Sequence, residues 1–152
     1  MSNEHDPWVI RTDFLDDAAW EEVCALIAAP QTEDRFLAYV RYVSDKRWQD
    51  ALPEKIFAAL AADEIPSGFC FVIDRRCLTD PEHPVLVLGE VTDWDNWDEA
   101  VDEDPPKVNL AFRALPRKIQ AIQNNVSIGN MDLEEFAQCA DADGVFRDFP
   151  RS

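Results

Sequence analysis

Residues 69–91, FCFVIDRRCLTDPEHPVLVLGEV, constrain the fold more than any other stretch. Two short apolar runs, 69–73 and 85–91, are rich in the β-branched and aromatic residues that fit a pleated sheet. Neither alternates apolar with polar positions. Strands of that kind are covered on both faces, which places them at the centre of a sheet. The polar connection, residues 74–84, is short for a parallel crossover. The pair therefore reads as an antiparallel hairpin with a long tip.

The flanking chain supplies the rest of an α+β domain. Residues 8–12 read as a first strand, followed by a helix capped by Asp16 and Asp17, whose carboxylates suit free N–H groups. Trp20, Val23, Cys24 and Ile27 recur at helical spacing and form its buried stripe, and Pro30 stops it. A second strand is expected over 36–43, followed by a polar turn over 44–49. Pro53 opens a short helix with Ile56, Phe57 and Leu60 inward, and residues 63–68 have turn chemistry. A last strand is expected over 107–113. Then comes a helix carrying Ile119 and Ile122, ended by Asn124 and Asn125. Asp132 with Glu135 forms a capping box for a final helix carrying Leu133, Phe136 and Ala137. Val145 and Phe149 fold the tail back. The expectation is a single domain over 1–152, with a frayed terminus at 1–7. Its mixed sheet has about five strands, a central antiparallel hairpin and helices packed against it.

Composition bounds the function. The 152 residues carry a net charge of −17, and the basic residues occur as isolated pairs such as Arg75-Arg76 and Arg117-Lys118. Such a surface repels nucleic acid and anionic membranes and attracts basic proteins. No apolar run reaches the ~20 residues of a membrane span, and residues 1–8 have no signal-peptide pattern. Four cysteines without paired spacing fit reduced thiols and a cytoplasmic location. Zinc sites normally use closely paired ligands, which Cys24, Cys70, Cys77 and Cys139 do not offer, so no metal or other cofactor is expected.

Two segments are candidate sites. From Glu90 to Asp104, eight of fifteen residues are acidic and none is basic. Asp93, Trp94, Asp95, Trp97, Asp98 and Glu99 interleave tryptophans, which serve as interface anchors, with charges suited to a basic partner. The segment departs from the calcium-loop pattern, because Trp97 and Asp98 fall where a ligand and a glycine are required. It is expected as an acidic loop with at most one helical turn. The second segment is the hairpin tip. There Cys77 and His83 would make a thiolate nucleophile if the imidazole met the sulfur, with Asp80 or Glu82 orienting the ring. The two X-Pro pairs, Asp80-Pro81 and His83-Pro84, favour a plain turn instead. Asp13, Asp16 and Asp17 follow the first strand, where many α/β folds place a site; helix capping is the preferred reading for them. Asn124, Asn125 and Asn130 form a further polar group, read here as helix boundaries.

Four blocks, 9–14 (VIRTDF) with 16–20 (DDAAW), 74–84 (DRRCLTDPEHP), 124–136 (NNVSIGNMDLEEF) and 144–149 (GVFRDF), span most of the chain. Together they resemble an uncharacterised family of small acidic bacterial proteins, a domain of unknown function. The resemblance implies no activity and no catalytic residues. The chain departs from the pattern at residues 92–106, which read as an acidic insertion. The functional expectation is therefore a non-enzymatic acidic interaction module for a basic protein. The alternative is a small enzyme at the 74–84 tip.

Overall fold

The computed structural model describes residues 5–30 and 37–150. Strand β1 (Trp8–Arg11) leads to helix α1 (Asp17–Ala28), β2 (Arg41–Val43), α2 (Pro53–Ala61) and β3 (Phe69–Ile73). A short helix, α3 (Arg75–Thr79), separates β3 from β4 (Val85–Thr92). Then follow β5 (Lys107–Ala114), α4 (Ile119–Ser127), α5 (Leu133–Gln138) and β6 (Val145–Phe146). The sheet has the order β2-β1-β3-β4-β5-β6. β1 runs parallel to both β2 and β3, β3–β4–β5 are antiparallel, and β6 lies parallel to β5.

The double-sided burial expected of β3 is realised by two crossovers on opposite faces. Phe69, Phe71 and Ile73 point into a core shared with Trp20, Val23 and Ile27 of α1 and with Ile119, Ile122, Leu133 and Phe136. Cys70 and Val72 point the other way, with Ile10 and Leu88, against Ile56 and Leu60 of α2. That is the period-two alternation of a strand with apolar partners on both sides. Gly89 is required where α5 approaches: a Cβ there would collide with Leu133 Cδ2 and press on Phe69 Cβ at 3.0 Å.

The capping assignments hold. Asp16 Oδ1 accepts the Ala19 N–H at 3.0 Å, and Asp132 with Glu135 forms the capping box of α5. Asp17 instead pairs with the buried Arg11 at 2.6 Å. Arg11 also stacks on Phe14 and Trp20 and donates to the Asp13 carbonyl at 3.0 Å.

Four expectations need correction. The sheet has six strands rather than five; the sixth is a two-residue pairing at the edge, too short for any periodicity to show. The second strand covers only Arg41–Val43, and Phe36 of the expected strand lies outside the described residues. The 74–84 connection carries a helix, α3, capped by Asp74, which accepts the Cys77 N–H. Helix α4 runs through Asn124 and Asn125 to Ser127. Asn125 Nδ2 donates to the Ala121 carbonyl one turn back, which keeps its side chain from competing with the helix. The chain turns away at Gly129, whose φ of +74° is costly for a side-chain-bearing residue.

Candidate functional site

Cys77 and His83 meet through their backbones, and the thiol and the imidazole are each used up in doing so. The Cys77 S–H donates to the His83 carbonyl at 3.4 Å, and His83 Nδ1–H donates to the Cys77 carbonyl at 2.8 Å. The other ring nitrogen faces Glu22 at 3.6 Å. Cys77 is fully buried, and burial, reinforced by the Asp74 carboxylate, pushes its thiol well above the ordinary range. A thiol so held supplies little thiolate at neutral pH. Asp80 Oδ1 accepts the Glu82 N–H at 2.9 Å, the turn geometry that the X-Pro pairs favour. The reciprocal bonds hold His83 in a left-handed conformation, φ +50°.

Glu82 has a different partner. Its two oxygens receive Arg147 Nε and Nη2 at 2.9 and 2.8 Å, and the same guanidinium reaches Asp141 at 2.7 Å and Asp143 at 2.7 Å. Arg147 thus staples the tail beyond β6 to the loop beyond α3. Its hydrogen bonds hold the Asp143 carboxyl down to about 2, from an ordinary 3.8, and lower Glu82 as well. A depressed carboxyl adds stability above its unfolded value, and that stability disappears as pH falls through the folded value. The wild-type denaturation midpoint is therefore expected to fall between pH about 4 and about 2. Arg147→Gln should flatten that acid limb; parallel curves for the two proteins would contradict the linkage.

The acidic segment is the tip of the β4–β5 hairpin. The ladder runs from Val85↔Ala114 to Thr92↔Lys107, and the Asp93 N–H extends it to the Pro106 carbonyl at 2.8 Å. Trp94–Asn96 form a single 3-10 turn, tied by Asn96 Nδ2 to Asp93 Oδ2 at 2.6 Å. A second turn closes where the Asp98 carbonyl accepts the Asp102 N–H at 2.8 Å. Trp94 is 64% exposed, and its ring lies edge-on to Trp97 at 5.6 Å. Asp93, Trp94, Asp95, Trp97, Asp98 and Glu99 thus share one projecting tip. None of the seven carboxylates from Asp93 to Asp104 makes an ion pair among the described residues, whereas Arg11, Arg47, Arg113, Lys118 and Arg147 all do. Beside the tip lies a groove of about 350 Å³, where Trp94 meets Glu90, Lys107, Asp132 and Glu134.

At the other end of β4 lies a larger cleft, about 650 Å³, lined by residues 12–15, 49–53 and 74–76 with Ile56, Val72, Leu86 and Arg113. Strand order places it there. The chain leaves β1 for β2 on one side and leaves β3 for β4 on the other. The crevice between the C-terminal ends of β1 and β3 is therefore the point where the winding reverses, the usual ligand position in open α/β sheets. Of its lining, the sequence singles out Asp13, through its place after the first strand, and reaches Asp74, Arg75 and Arg76 only as part of the 74–84 connection. Asp13 Oδ1 accepts the Leu15 N–H at 3.0 Å. Asp50, in a left-handed conformation at φ +58°, donates its N–H to the Thr12 carbonyl at 2.8 Å and so holds the 49–53 segment over the strand end. The structure does not bring Asp16, Asp17 or the asparagines into this cleft. Asn124 Nδ2 donates to the Leu37 carbonyl at 2.9 Å, and Asn130 Nδ2 to Asn125 Oδ1 at 2.8 Å.

Among the described residues no group of three or more His, Cys, Asp or Glu side chains is placed to hold a metal ion. No helix among them is long and apolar enough to cross a membrane. No curated protein and no solved structure gives a significant match to the chain. A family model matches residues 6–149, nearly the whole domain and all four of the blocks set out above. The chain therefore belongs to the family DUF6924, a domain of unknown function.

Proposed function

We propose that the chain is a non-enzymatic interaction module of the cytoplasm, docking on a basic protein through the 93–99 hairpin tip. The observation that carries this reading is the exposure of Trp94 among carboxylates that have no basic partner of their own. A large ring held in water by a hairpin leaves its apolar area unburied, and a partner surface would cover it. A partner Lys or Arg laid on the ring face gains cation–π attraction, and the surrounding acids steer its approach. Exposed ion pairs alone contribute little, so the affinity rests on the tryptophan and the specificity on the charge. An inhibitor of a basic nuclease-like protein, or a mimic of nucleic-acid charge, would work in this way.

The ladder register provides a clean test. Because Thr92 and Lys107 are paired, residues 93–106 can be replaced by an Asn-Gly turn that keeps the hairpin closed. Intact chain, the shortened hairpin and Trp94→Ala would be used as baits on cytosolic extract at low and high salt. A basic protein held by the intact chain, released by salt and then purified should bind Trp94→Ala about 30-fold more weakly, a loss of about 2 kcal/mol. Equal retention by the shortened hairpin would sink the reading.

A further inference from the structure

We infer that the cleft between the C-terminal ends of β1 and β3 binds a small amphipathic monocarboxylate, an organic acid with an apolar acyl or aryl body. The site lies at the opposite end of β4 from the hairpin tip and is independent of it.

The cleft is of ligand size and its floor is apolar. Val72 and Leu86 come from adjacent strands and Ile56 from α2, while Phe14 and Leu52 stand at its wall. On this face of the sheet α2 packs against β4 and leaves Leu86 half-open. Leu15 and Leu52, at its mouth, are 81% and 68% exposed, so an apolar body laid between them would remove apolar surface from water on both sides.

The polar groups around this floor favour one negative charge. Arg75 and Arg76 line the cleft on the first turn of α3. Both are exposed, and among the described residues neither guanidinium has a hydrogen bond, an ion pair or a ring partner. In a chain of net charge −17, two adjacent unpaired arginines on one cavity form an uncommitted cationic fork. Guanidinium groups bind planar carboxylates in bidentate fashion. Thr12 adds a second, buried group. It is 4% exposed and lines the cleft, on the same strand face as Ile10, which packs toward α2. Its backbone is bonded on both sides, to the Ile73 carbonyl at 3.1 Å and the Asp50 N–H at 2.8 Å. Its hydroxyl has no partner among the described residues and is not sealed off, so it is open to a ligand. Asp13 and Asp50 also line the cleft, so a second negative charge on a ligand would meet these carboxylates with Arg113 already committed to Asp74. Asp74 and Arg113 neutralise each other at 2.7 Å.

The test is an amide-resolved NMR titration of the full chain with 3-phenylpropanoate, octanoate, phenyl phosphate and the neutral 3-phenylpropanamide. Saturable shifts confined to residues 12–15, 49–53 and 74–76 are expected with the two carboxylates, and weaker ones with the phosphate and the amide. Arg75→Gln/Arg76→Gln should weaken carboxylate binding roughly tenfold with an unchanged unfolding midpoint, since both side chains are exposed and unpartnered. Thr12→Val should weaken it in the same direction. The inference is overturned if the amide binds as well as its acid, if the phosphate binds more tightly than the carboxylates, or if no shift at these residues saturates at millimolar ligand. Trp94→Ala leaves this titration unchanged, so the outcome is separate from that of the hairpin tip.

Discussion

Trp48→Ala is expected to lower the unfolding free energy by about 3–5 kcal/mol, the range for deleting a buried aromatic. Trp48 ends the short 3-10 turn Lys46–Trp48, which Asp45 caps by accepting the Arg47 N–H at 3.0 Å. Its ring is 1% exposed and packs with Ile10, Ile56, Leu60 and Ile65 in the smaller of the two cores. Among the described residues this core is small, drawn from α2, the turn and Ile65 over the sheet, so few neighbours can collapse into the space left behind, and cavity costs are largest where collapse is poorest. The ring also carries two cations, the Arg47 guanidinium at 4.4 Å and Lys55 Nζ at 5.4 Å from its centroid, and the Lys55 ammonium donates to the Arg47 carbonyl at 2.8 Å. Removing the ring therefore loosens the turn together with the start of α2. Urea denaturation of wild type, Trp48→Ala and Trp48→Phe provides the check, with the phenylalanine variant recovering part of the loss. A change below about 1 kcal/mol for alanine would mean that the turn refills the space, against the packing described.

The position of Trp48 shows which parts of the fold were legible in the sequence. β3 and β4 were legible almost to the residue because burial on both faces writes a continuous apolar run, α1 and α5 because caps and 3.6-residue spacing agree, and α2 because Pro53 opens an apolar stripe. Trp48 is flanked by Lys46, Arg47, Gln49 and Asp50, so no local pattern distinguishes its burial from the polar turn around it. Edge strands β2 and β6 have three and two residues, too few to repeat a pattern. Asn124 and Asn125 read as a stop because their side chains can bond the backbone locally. In α4 they are occupied with the Leu37 and Ala121 carbonyls instead. The hairpin tip was legible as composition, since contiguous residues make it. The cleft was not. Its lining comes from five separate segments, and only the strand order, with β1 between β2 and β3, brings Thr12, Asp50, Arg75 and Arg113 together.

Arg113→Met is expected to destabilise the domain by about 2–4 kcal/mol, the lower side of the range for breaking a buried ion pair because Asp74 is a quarter exposed. The guanidinium donates to both Asp74 oxygens, at 2.9 and 2.7 Å, and to the Pro84 carbonyl at 3.0 Å. Asp74 in turn accepts the Cys77 N–H at 3.1 Å. One side chain on β5 therefore joins the end of β3, the cap of α3 and the entry to β4. Methionine keeps the length of the side chain and its apolar contact with the sheet, so the loss reports the hydrogen-bonded charge rather than a cavity. Asp74 is left without its counter-ion and the Pro84 carbonyl without its donor, and unmet groups of that kind dominate the cost. A double-mutant cycle with Asp74→Asn separates the pair from its surroundings: a coupling of about 1–3 kcal/mol is expected, and a coupling near zero would show that the two residues stabilise the fold independently. The same variant tests whether the cleft depends on this tie. Arg75 and Arg76 sit on the turn that Asp74 caps, so with Arg113 removed the fork is held less firmly. Its affinity for 3-phenylpropanoate should fall, although Arg113 itself, already neutralised by Asp74, contributes little direct attraction for the ligand. Unchanged affinity in a destabilised Arg113→Met would mean that α3 is positioned by Cys77 and Leu78 packing alone.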